Sequence, residues 1–265
     1  MDQTVIRTEA ADDIKETVRQ TVDGLGGFGR FIGEGERVLV KPNFNTCDPF
    51  PASSEFGFVA AVVDLCHESG AGEVILGESS THFLETRRVM EGWGIDRLTS
   101  IRPWLQVVNF DEGRWVRREV PQGRYLKHLS VPEVLDRVDR LLLLPCLKTH
   151  KYAAYTGALK LSVGLMKPRQ RLALHVRRIQ EKIAEMNTVI RSDLVIMDAR
   201  RCFINEGPSS GEVREPGLVL ASRSRTAIDL EGVAIIQGFE GNSLSGREPR
   251  ELLQLARALE LGLDG

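Results

Sequence analysis

The chain has 265 residues, enough for one large α/β domain or two small ones. With 42% hydrophobic and 27% charged residues it has the balance of a globular protein, not a disordered one. A formal net charge of −2 gives no global attraction to nucleic acid, and no apolar run approaches the roughly 18 residues of a membrane span.

Residues 1–11 carry acidic side chains and no apolar core, so they do not read as a secretory signal. Residues 4–7 are a short predicted strand. Residues 12–25 read as a helix, with Ile14, Val18, Val22 and Leu25 at helical spacing. Gly26-Gly27-Phe28-Gly29 follows that helix and does not give the G-x-G-x-x-G spacing, so it reads as a helix stop and connector. A strand at 37–40 runs into Lys41-Pro42-Asn43. The helix predicted at 58–69 has Val59, Val62, Val63 and Cys66 on one face and stops at Gly70. The next strand, 73–77, runs into Glu78-Ser79-Ser80, and 86–93 reads as helical.

The rhythm then changes. Residues 105–110 and 114–120 read as two strands around Asp111-Glu112-Gly113, a hairpin signal within an insertion at about 101–130. A short helix at 131–138 leads to Leu141-Leu142-Leu143-Leu144, the pattern of a fully buried strand. That strand runs into Pro145-Cys146-Leu147-Lys148-Thr149-His150, followed by Thr156-Gly157-Ala158-Leu159-Lys160. One helix is predicted over 169–187, with Leu172, Val176, Ile179, Ile183 and Met186 on its buried face. A strand at 193–198 ends at Asp198, Gly207-Pro208-Ser209-Ser210-Gly211 makes a tight loop, and a strand at 217–221 precedes helices at 227–237 and 249–261. The expectation is an α/β fold: a mainly parallel sheet with helices on both faces and a small β-hairpin insertion, in one domain over 1–265.

In open parallel sheets, ligands bind outside the carboxyl ends of the strands. Four predicted strand ends deliver chemistry: Lys41 and Asn43; Glu78 and Ser79; Lys148, Thr149 and His150; and Asp198. Lys41, Lys148 and Lys160 together predict a site for phosphate or carboxylate. His150 is the first acid–base candidate, with Lys148 beside it, and His175 is the second. Asp198 and Glu78 would orient the ligand or bind a divalent metal. Thr149, Thr156 and Gly207 complete the expected ligand contacts. Lys167, Arg169, Arg171, Arg177 and Arg178 read as a solvated helix face or as cations that help to hold an anion.

The four cysteines, Cys47, Cys66, Cys146 and Cys202, are widely spaced, which suits a reduced, cytoplasmic protein. There is no C-x-x-C. Cys47, Cys146 and Cys202 fall near strand ends and would form a metal site with His150 if their loops converge.

The ordered set of Val38-Leu39-Val40-Lys41-Pro42-Asn43, the 145–150 and 156–160 segments, His175, Asp198, Gly207-Pro208 with Gly211, and Ala227-Ile228-Asp229 resembles the domain of unknown function 362 family. The resemblance runs from about Lys41 to Gly238. It implies an α/β domain often found in proteins that also carry ferredoxin-type iron–sulfur modules. Where the family commonly has Asn after the lysine of the 156–160 motif, this chain has Leu161-Ser162. Two readings stand open. One is an enzyme binding an anionic small molecule at the strand ends. The other is a non-catalytic, redox-associated module that docks an iron–sulfur protein or carries an iron–sulfur cluster, with the basic helix and a Trp104–Trp115 hairpin as its contact. Neither nucleic acid nor a membrane is an expected partner.

Overall fold

Runs of valine, leucine and isoleucine without polar alternation mark strands covered on both faces, and such runs form the sheet of the computed structural model, which describes residues 3–263. The chain enters through β1 (Val5–Glu9), α1 (Ile14–Asp23), β2 (Arg37–Lys41), α2 (Phe56–Glu68), β3 (Glu73–Glu78), α3 (Thr86–Trp93), α4 (Ile95–Ser100) and β4 (Leu105–Asn109). A two-stranded sheet of β5 (Trp115–Glu119) and β6 (His128–Pro132) leads back to β7 (Arg140–Leu143), β8 (Cys146–His150) and β9 (Ala154–Thr156). Next come α5 (Ala158–Leu161), α6 (Pro168–Val176), α7 (Ile179–Met186), β10 (Leu194–Phe203), β11 (Val213–Arg214), β12 (Leu218–Ser222), α8 (Arg225–Gln237) and α9 (Leu253–Glu260).

The large sheet has the order β1-β12-β10-β7-β2-β3-β4. From β10 to β4 all neighbours are parallel. At the other edge, β12 runs antiparallel to both β10 and β1. Alternate residues of each central strand feed two cores. Leu39, Leu141, Leu143, Val195 and Met197 pack on one face, and Val38, Val40, Leu142, Leu194 and Ile196 on the other. The expected mostly parallel sheet flanked by helices is present.

The chain steps from β2 outward to β3 and β4, then returns to place β7 on the opposite side of β2. That reversal opens a crevice at the carboxyl ends of β2 and β7, where α/β sheets bind ligands.

Several expectations change. Leu105–Asn109 is a strand, but it pairs in parallel with β3 as the sheet edge. The antiparallel partner of Trp115–Glu119 is His128–Pro132, whose last two residues fall in the segment expected to be a helix at 131–138; helical structure there is a single short turn at Glu133–Asp136. Short-range alternation identifies strands and leaves their partners open. The 169–187 helix breaks at Arg177 and Arg178, where Arg178 adopts φ 57. The break turns Leu172 and Val176 outward, while Leu174, Ile183 and Met186 are buried. The 193–198 strand continues to Phe203, so Asp198 sits mid-strand. Trp104 stacks on His67 beside the sheet edge and Trp115 lies in β5, so the two tryptophans do not share one hairpin.

Candidate functional site

Pro145 has no N–H to give a ladder, and it separates β7 from β8. Beyond it, β8 continues alongside the outer half of β10, with Cys146 opposite Asp198 and Lys148 opposite Phe203. The chain then turns back as β9, which pairs Lys148 with Thr156 and His150 with Ala154. Strand alternation puts Lys148 and His150 on one face and Thr149 on the other. The two outward side chains and Thr156 line a cavity of about 710 Å³.

The strand–helix turn that follows brings Lys160 into the same cavity. Asp229 of α8 accepts the N–H groups of Ala158 at 2.6 Å and Leu159 at 3.0 Å, and the Tyr155 hydroxyl at 3.1 Å. A carboxylate at the first N–H groups of a helix satisfies donors that the helix cannot. A Cβ on Gly157 would fall 2.2 Å from Asp229 Oδ1, so the close approach requires glycine. The 156–160 motif and Ala227-Ile228-Asp229, distant in sequence, are thus one structural unit.

Part of the cavity wall is already neutralised. Lys41 Nζ lies 2.7 Å from Glu78 Oε1 and 2.7 Å from Oε2, and both side chains are buried. The Glu78 oxygens also accept the Phe44 and Ser79 N–H groups. Burial lowers the Lys41 pKa, and Glu78 opposes that shift. Arg171 of α6 donates to the carbonyls of Met166, Ser79, Ser80 and Gly164 and to Ser79 Oγ. Ser79 Oγ in turn donates to Asp111.

Other groups keep free capacity. Lys148 donates to the Ala52 carbonyl. Lys160, half-buried, has no hydrogen-bond or ion-pair partner among the described residues. Burial, with Lys148 and Arg171 nearby, pushes its pKa down to about 7, and burial pushes Lys148 down to about 8. His150 Nδ1 accepts the N–H groups of Tyr152 at 3.1 Å and Ala153 at 3.2 Å. Its proton therefore sits on Nε2. Burial, then Lys160 and Lys148, push its pKa down to about 2, which keeps the ring neutral. His175 has the opposite polarity: its Nδ1 lies 2.7 Å from the Arg171 carbonyl, an acceptor only, so a neutral ring leaves the lone pair on Nε2. Three more lining atoms, Asn43 Nδ2, Thr156 Oγ1 and His82 Nε2, are buried without a partner.

The cavity thus gathers Lys41, Asn43, Glu78, Ser79, Lys148, His150, Thr156, Lys160 and His175. Three expected site residues lie elsewhere. Asp198 is buried mid-strand, and Arg200 binds both its oxygens at 2.9 and 2.7 Å. Thr149, on the far face of β8, receives the Gly207 N–H on Oγ1 at 3.3 Å. A Cβ on Gly207 would fall 2.0 Å from the Thr149 carbonyl, so this glycine serves close packing and brings Pro208 and Ser209 to the cavity rim.

The cysteines do not converge. Cys47 is exposed, and burial pushes Cys146 up to about 11 and Cys202 up to about 12. Among the described residues no three His, Cys, Asp or Glu side chains gather as a metal site would need. Among the described residues, no helix is long and apolar enough to cross a membrane. His82 carried no sequence signal beyond its place four residues after the Glu78 strand end. Arg171 was hidden in a basic segment that reads equally as a solvated face.

Residues 38–234 match the family described as Domain of unknown function (DUF362), and the chain belongs to that family. It is 29% identical over 240 residues to the thylakoid-associated protein sll1697 of Synechocystis sp., covering 86% of this chain and 71% of that protein. The lactate racemase apoprotein of Thermoanaerobacterium thermosaccharolyticum superposes with a TM-score of 0.56 at 14% identity, over 88% of this chain. This likeness is one of fold, and the chain spans 57% of the racemase apoprotein.

Proposed function

We propose that this DUF362 member is an enzyme that binds a carboxylated or phosphorylated small molecule in the switch-point cavity and moves a proton there. One observation carries the reading. Among the described residues the cavity is lined by five cationic side chains, Lys41, Lys148, Lys151, Lys160 and Arg171, against one carboxylate, Glu78, which Lys41 already pairs. A cationic enclosure of this kind attracts an anion, and the anion restores the charge that burial withholds from Lys148 and Lys160.

The two imidazoles supply the chemistry. His150 offers a proton on Nε2, and its neutral ring acts as a hydrogen-bond donor toward a developing oxyanion. His175 offers the complementary lone pair and is the base. Asn43 and Thr156, with unpartnered donors, orient the ligand. A reducing, cytoplasmic compartment belongs to the same reading and suits the free thiols at Cys47, Cys66, Cys146 and Cys202.

The test pairs binding with proton exchange. Phosphate monoesters and small carboxylates are screened by thermal shift. Ligand at a hundred times its Kd stabilises by about 2.7 kcal/mol, or roughly 5–10 °C for a chain of this size. Deuterium uptake from solvent into the bound ligand, followed by proton NMR, reads the proton transfer whatever product forms. Lys148→Ala is expected to lose the thermal shift, and His150→Ala and His175→Ala the exchange. Folded variants that bind and exchange like the parent chain would show the site to be wrong.

A further inference from the structure

The cavity is larger than an anion needs. A carboxylate or phosphate group has the bulk of about two to four waters, at about 30 Å³ each, and the cavity measures about 710 Å³. Beside polar residues such as Asn45, Thr81 and Ser209, the remaining wall has an apolar part. Phe83, Tyr152, Leu161, Val163, Leu172 and Pro208 line it, and Phe83 is 81% exposed, Tyr152 60% and Leu172 51%. Leu172 reaches this position because the break at Arg177 and Arg178 turns its helix face outward. Val176, one turn further along α6, is exposed on the same side. Apolar side chains left in water around a cationic floor are matched by a ligand that has both characters.

We infer that the ligand is an amphipathic anion, whose carboxylate or phosphate head sits at Lys148 and Lys160 and whose apolar body lies against Phe83, Tyr152 and Leu172. The inference rests on the anion-binding reading and adds the class of molecule to it. The head chooses the sign of the ligand, and the body accounts for most of the enclosed volume. Thr156 Oγ1 and Asn43 Nδ2, buried in the same lining without partners, are free to meet polar atoms of the ligand.

The test uses two homologous series on the full chain, measured by calorimetry. One runs from inorganic phosphate through methyl, butyl and hexyl phosphate, the other from acetate to octanoate. Each methylene taken from water into the cavity is expected to tighten binding about two- to fourfold. In Phe83→Ser and Leu172→Ser, both exposed positions where folding is not at stake, the gain per methylene shrinks while the short anions still bind. Affinity independent of chain length, with inorganic phosphate bound, would overturn the inference and leave the anion site standing. Binding of no anion of either series would overturn the anion site and the inference with it. A flat series, together with vesicle sedimentation on phosphatidylglycerol that Leu172→Ser abolishes, would assign the rim to a lipid surface and likewise overturn the inference.

Discussion

Lys160 is a half-buried cation held next to other cations with no bonding partner among the described residues, and this makes it the most informative single residue to change. Replacing it with methionine keeps the length and removes the repulsion from Lys148 and Arg171. Lys160→Met is expected to raise ligand-free stability by about 1 kcal/mol and to weaken anion binding at least tenfold, read by urea unfolding and calorimetry. The sign of the pH dependence follows. In the folded chain Lys160 titrates at about 7 and Lys148 at about 8, below the ordinary lysine value of 10.5. Between those values the unfolded chain binds more protons, so stability rises as pH rises from about 7 toward 10.5. The advantage of Lys160→Met over the parent is therefore expected to be largest below pH 7 and to vanish near 10.5, which parallel melts across that range will show. His150 adds a cost in the same direction, because its folded pKa near 2 lies below the ordinary 6.5 and an unfolded histidine gains its proton first. Anion binding runs the other way. It returns protons to Lys148 and Lys160, so proton uptake is expected on binding near pH 8, seen as a dependence of the calorimetric heat on the buffer's ionisation enthalpy.

The β8–β9 pair and α5 form one device for presenting side chains, and Asp229 ties it together. Asp229→Ala leaves the Ala158 and Leu159 N–H groups and the Tyr155 hydroxyl without their acceptor. At about 1–3 kcal/mol for each buried unsatisfied group, the expected loss is roughly 3–5 kcal/mol in chemical denaturation, with anion binding lost before the fold. Much of this device was legible in the sequence. Lys148 and His150 stood two apart after an apolar run, and period-two alternation puts them on one face. What the sequence hid was length and partnership. Asp198 looked like a strand end because its apolar run stops there, yet β10 runs on through Arg200 and Arg201 by pairing with β8 and β11. Leu105–Asn109 looked like half of a hairpin because Gly113 follows it, yet its hydrogen bonds go to β3. Leu172 and Val176 fit a helical stripe that a left-handed Arg178 then cuts. Pairing and breaks of this kind are decided by tertiary contacts, to which local pattern is blind.

At the scale of the whole molecule, the reversal of strand order between β2 and β7 determines where these groups meet. The antiparallel edge of β12 and β1 lies on the far side of the sheet from the β2–β4 arm and brings no side chain to the cavity. Ligand binding is therefore expected to slow amide exchange in β8, β9 and α6 and to leave β1 and β12 unchanged, as hydrogen-exchange mass spectrometry can record. The 71% coverage of the thylakoid-associated relative and the 57% coverage of the racemase apoprotein leave the rest of each unmatched. Within the shared fold, Arg171 sets a division between charge and shape. All five of its N–H groups are taken by the protein, through Met166, Ser79, Ser80 and Gly164. It has no donor left for a ligand, so in the proposed anion site its pull would act through space, on any anion and in any orientation. In the proposed site, discrimination among anions would fall instead to Asn43, Thr156 and His82, whose buried polar atoms without partners would favour a molecule with the right atoms in the right places.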